Sequence, residues 1–78
     1  MILKPLTAFV TLDKENDCCS IVVRNEQGQL VMGPLVHRAL STKKVWYESV
    51  NDHLVQLKTN GLNIVSVDSN ALEIKLPV

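Results

Sequence analysis

The sequence predicts a small α+β domain: one mainly antiparallel five-stranded sheet with a single helix on one face, in the order β-β-β-α-β-β. Three observations lead there. Five short segments are rich in aliphatic and β-branched residues and are separated by polar or Gly-containing turns. One longer stretch repeats its apolar residues at helical spacing and stops at Asn60-Gly61. The chain has 78 residues, enough for one domain and one core.

Leu6 to Leu12 forms the first strand, with Leu6, Ala8, Val10 and Leu12 on one face and Thr7, Phe9 and Thr11 on the other. Asp13 to Asp17 is a polar turn. Cys18 to Arg24 forms the second strand and sends Cys19, Ile21 and Val23 inward. Asn25-Glu26-Gln27-Gly28 is a hairpin connection, with Gly supplying the conformation that other residues resist. Leu30, Val31 and Met32 begin a third strand, Gly33-Pro34 interrupts it, and Leu35-Val36 resumes it. Proline has no N–H for a ladder, so this strand is expected at an edge, bulged or bent.

Ser41 or Thr42 is the expected N-cap of a helix over about residues 42–60. Its inward stripe is Trp46, Val50, Leu54 and Leu57, flanked by Tyr47 and His53. Gly61 is expected in the left-handed position that closes the helix, with Leu62 making the accompanying apolar contact.

The remaining strands are Leu62–Val67 and Ala71–Leu76, joined by a turn at Asp68-Ser69-Asn70. In the last one Leu72, Ile74 and Leu76 point in, and Glu73 and Lys75 point out. The expected sheet order is 3-2-1-5-4, with the first strand pairing the last. A helix about 10 Å wide covers two or three strands spaced about 4.8 Å apart. The other face, carrying Phe9 with Val22 or Val31 and then Val65 and Val67, is left for a partner.

Composition narrows the function. Eight basic and eight acidic residues give a net charge of zero, hence no long-range attraction to nucleic acid or an anionic membrane. Zero net charge also removes the repulsion that keeps copies apart. The two cysteines, Cys18 and Cys19, are adjacent and cannot staple a loop, which fits a reducing, cytoplasmic setting. No signal peptide and no membrane span is read.

No metal site or cofactor is expected. The cysteines lack Cys-x-x-Cys spacing, and His37 and His53 form no helical ligand pair. No glycine-rich elbow or phosphate loop appears, so no catalytic residue is assigned. Arg38, Lys43 and Lys44 cluster with His37 before and at the helix start. Cations there oppose the helix dipole, so this corner is a candidate docking site for an acidic partner surface. Phe9 and Val65 are the candidates for self-association.

The expected function is therefore non-catalytic: an interaction or regulatory protein, a homodimer that also binds another protein. Its layout is shared by some small phage and mobile-element accessory proteins. One alternative is a nucleic-acid-associated protein using Arg38, Lys43 and Lys44. A second is a ligand binder or enzyme with a pocket lined by Trp46, Tyr47 and His53.

Overall fold

The computed structural model describes residues 4–13, 15–38 and 43–76. Four strands and one helix follow in the order β1 (Leu6–Asp13), β2 (Cys18–Arg24), β3 (Leu30–Arg38), α1 (Lys43–Thr59) and β4 (Ile64–Ser69). The fold is α+β, with a four-stranded sheet in the order β3-β2-β1-β4.

The two hairpins form as their turns dictate. β1 pairs β2 antiparallel, with Phe9 opposite Val22 and Leu12 opposite Cys19. Asp17 takes a positive φ of 50° in the first turn, where its neighbour Asp13 accepts from Asn16 Nδ2 at 2.7 Å and from two backbone N–H groups. In the second turn Asn25 Oδ1 accepts from the N–H groups of Gln27 and Gln29. β3 is an edge strand, as expected, and its pairing with β2 shifts register on both sides of Val23. Gly33 carries one irregularity at a φ of +106°, and a Cβ there would lie 2.6 Å from the Ile21 carbonyl oxygen. Only glycine fits that approach.

The sheet is mixed, because β4 lies parallel to β1 and pairs with it directly. This corrects the expected antiparallel order 3-2-1-5-4. The reason is geometric. A helix of 17 residues is about 25 Å long and carries the chain back along the whole sheet. The strand after it must then run in the direction of β3, which is also the direction of β1.

β4 also starts and ends later than expected, so that Asp68 and Ser69 belong to the strand. A register shift sets Leu6 opposite Ile64 but Thr7 opposite Ser66, which makes Val65 the extra residue. The shift reverses the alternation beyond it. Val67, expected on the open face, lies opposite Ala8 and packs against the core.

The fifth strand does not form. Residues 71–76 are a turn followed by an extended tail. Burial there falls on Ala71 and Ile74, a spacing of three that suits a turn, while Leu72 is 92% exposed and Leu76 39% exposed. The tail is held by side chains. Asn51 of α1 donates to the Glu73 carbonyl at 3.0 Å and accepts from the Lys75 N–H at 3.1 Å. Asn70 extends the β4 side of β1: the Leu12 N–H donates to its Oδ1 at 2.9 Å, and its Nδ2 donates to the Leu12 carbonyl at 3.0 Å.

The core lies between α1 and one face of the sheet. Leu6, Ala8, Val10 and Leu12 from β1, and Cys19, Ile21 and Val23 from β2, meet Trp46, Val50, Leu54 and Leu57 from α1. Ile64, Ala71 and Ile74 close the β4 side. Full burial of an aliphatic side chain of this size contributes about 1.5–3 kcal/mol. The helix ends as its sequence predicts: the Gly61 N–H donates to the Lys58 carbonyl and the Leu62 N–H to the Leu57 carbonyl, with Gly61 at a φ of 104°. The Ser41 or Thr42 cap lies outside the described residues.

Candidate functional site

The alternation of β1 and β2 puts one set of side chains under α1 and the other set on the opposite, helix-free face. The register arranges that face in four rows across the strands. Ser66, Thr7, Arg24 and Leu30 form the first. Asp68, Phe9 and Val22 form the second, with Gly33 and Pro34 beyond Val22 on β3. Thr11, Ser20 and Val36 form the third, and Asp13, Cys18 and Arg38 the fourth.

Arg24 lies in the first row and Asp13 and Arg38 at the two ends of the fourth, Asp68 ends the second, and Phe9, Val22 and Val36 occupy the rows between. Phe9 is 36% exposed, Val36 65% and Leu30 54%, and Val22 is half-buried beside Phe9. Thr7 and Ser66 hold each other by a hydroxyl–hydroxyl hydrogen bond of 2.8 Å. Aromatic–β-branched pairs across strands, such as Phe9 with Val22, contribute about 0.2–1 kcal/mol and fix the ring on its face. Asn16 lowers the Asp13 carboxyl below its ordinary range through its side-chain amide and its N–H, and the Glu15 N–H adds to this. Asp13 is thus a charged end to its row.

The expected site residues divide between two layers. Arg38 is exposed at the end of β3, in the row of Cys18, on the helix-free face. Lys43 opens α1, and Lys44 is exposed in its first turn, which contains no acidic residue. Phe9 is at the centre of the helix-free face. Val65 is 49% exposed at the irregular start of β4. Trp46 is buried and Tyr47 and His53 are half-buried. The Trp46 and Tyr47 rings stack with centroids 6.2 Å apart, and the buried Trp46 Nε1 has no hydrogen-bond acceptor among the described residues.

The two cysteines differ as strand neighbours should. Cys18 is half-exposed, while Cys19 is buried, and burial with a smaller contribution from Cys18 pushes its thiol up to about 11. Among the described residues, no three His, Cys, Asp or Glu side chains gather as a metal site. None of the described helices is long and apolar enough to cross a membrane. Sequence reading missed Asn51, Asn70 and Leu72. Asparagine near a strand end is a signal for turns in general, and only the fold shows which backbone groups it serves.

No family model, no curated protein and no solved structure matches this chain.

Proposed function

We propose that this protein is a non-catalytic binding module that docks another protein on the helix-free face of its sheet. The supporting observation is the arrangement of the four rows: Phe9, Val22 and Val36 occupy the second and third rows, between Arg24 in the first and Asp13 and Arg38 in the fourth, with Asp68 at the β4 end of the second. Apolar groups flanked by charges are the usual anatomy of a protein interface, in which the centre supplies affinity and the rim supplies register. Arg38 belongs to that rim and pairs with acidic groups of the partner. Such a module acts as a regulator or accessory of the protein it covers.

The test is affinity capture from the native host, followed by titration of the purified partner. Phe9→Lys places a charge at the centre of the face and is expected to weaken binding at least about tenfold. Its thermal unfolding should stay close to the unsubstituted protein's. A partner that binds the variant with unchanged affinity rules out this face.

A further inference from the structure

We infer that Asn60 is a spontaneous modification site, where the chain converts its own side-chain amide to aspartyl and isoaspartyl acids and so loosens the junction between α1 and β4. This is separate from the docking of a partner, because residue 60 follows α1 and is no part of the rows of the helix-free face.

The chain has six asparagines, and all six lie among the described residues. Five hold their side chains in hydrogen bonds. Asn16 Nδ2 donates to Asp13, and Asn25 Nδ2 donates to Gln29. Asn51 bonds the Glu73 carbonyl and the Lys75 N–H, Asn63 donates to the Lys4 carbonyl, and Asn70 bonds Leu12. Asn60 is exposed, and its side-chain amide has no hydrogen bond among the described residues. It is also the one asparagine followed by glycine. After the others come Asp17, Glu26, Asp52, Ile64 and Ala71, whose side chains crowd the backbone nitrogen. Gly61 is exposed, and even a Cβ there would meet nothing within 4 Å.

That nitrogen is the nucleophile. It attacks Asn60 Cγ, and the new N–C bond closes a succinimide ring. The Cγ–Nδ2 bond breaks, and ammonia leaves with the proton that the Gly61 nitrogen gives up. Water then adds to a ring carbonyl and opens the ring. Opening at Cγ gives aspartate. Opening at the backbone carbonyl gives isoaspartate, in which the main chain runs through the side-chain carbon.

In the closed cap the Gly61 N–H donates to the Lys58 carbonyl at 3.1 Å. Ring closure therefore proceeds from molecules whose last helical turn has opened. Helix ends open at free energies far below that of global unfolding, so the folded protein is modified, more slowly than an unfolded chain. Both products place a carboxylate at the negative end of the α1 dipole. Isoaspartate also inserts a methylene between residues 60 and 61, and the bonds from Gly61 to Lys58 and from Leu62 to Leu57 lose their register. Leu57 belongs to the core, Leu62 packs against it, and β4 begins at Ile64. The change is thus felt where α1 hands the chain to β4.

The experiment is incubation of the full chain at neutral pH and body temperature, folded and in urea, followed by proteolysis and mass spectrometry. In the folded chain residue 60 should lose its amide at least about tenfold faster than any other asparagine, a barrier difference of about 1.4 kcal/mol. Aspartate and isoaspartate should both appear there. The chain in urea should convert faster still. Asn60→Gln, whose longer side chain disfavours the ring, should gain no acid at this position. The isoaspartyl form, separated by ion exchange, should unfold at a lower temperature than the unmodified protein. Retention of the amide in the folded chain, over a period in which the urea-treated chain converts fully, overturns the proposal. So does earlier conversion of another asparagine. An isoaspartyl form with an unchanged unfolding midpoint would overturn the loosening of the junction.

Discussion

Asn70 stands in for a strand residue. Its amide presents one acceptor and one donor to the Leu12 N–H and carbonyl, at the point where β4 has run out. Leu12 is buried, so those backbone groups have no ready access to water. Asn70→Ala is expected to cost about 1–3 kcal/mol, the penalty for leaving such groups unpaired. Asn70→Asp should do no better, because a carboxylate oxygen would meet the Leu12 carbonyl oxygen. Urea denaturation measures both, and an unchanged midpoint for Asn70→Ala would show that water replaces the amide. Cys19 offers a test of a different kind. Its thiol is pushed from an ordinary 9.0 up to about 11. The unfolded chain therefore ionises first as pH rises. Stability from this group is intact below pH 9 and declines as pH climbs from about 9 through about 11. Cys19→Ala should remove that part of the alkaline slope, which denaturation at a series of pH values would reveal.

At the scale of elements, α1 was the most legible part of the chain. Trp46, Val50, Leu54 and Leu57 all lie in the core, and the Asn60-Gly61 stop holds. Leu54 has no exposed surface and sits between Val50 and Leu57 on the stripe. Leu54→Ala is expected to destabilise by about 2–5 kcal/mol, a large part of what so small a domain possesses. Thermal unfolding of the variant at an unchanged midpoint would contradict this packing. The inward faces of β1 and β2 were equally legible, because strict alternation states them residue by residue. The last segment was not. Leu72, Ile74 and Leu76 alternate like a strand, yet the segment has Asn51 and its own turn for partners. Val67 was misplaced for a related reason: one extra residue in β4 reverses the alternation, and no residue type announces it. Of the candidate site, Phe9 and Arg38 could be named from sequence, but their membership of one face depends on register.

For the molecule as a whole, the helix occupies one face of the sheet and leaves the other to Phe9 and its neighbours. Phe9 is central to the helix-free face, while Leu72, 92% exposed, lies in the turn after β4. The parallel β1–β4 pairing has a further consequence, which concerns time. Thr7 and Ser66, which bond across it, are 59 positions apart. The two hairpins can close within about 1–10 μs of leaving the ribosome. At roughly 5–20 residues per second, β4 follows β1 by on the order of several seconds. For that interval the nascent chain carries β1 with its outer side unpaired, and the core face of the sheet waits for α1. Vectorial synthesis thus leaves the central strand open until the final strand arrives with the Asn70 amide at its end.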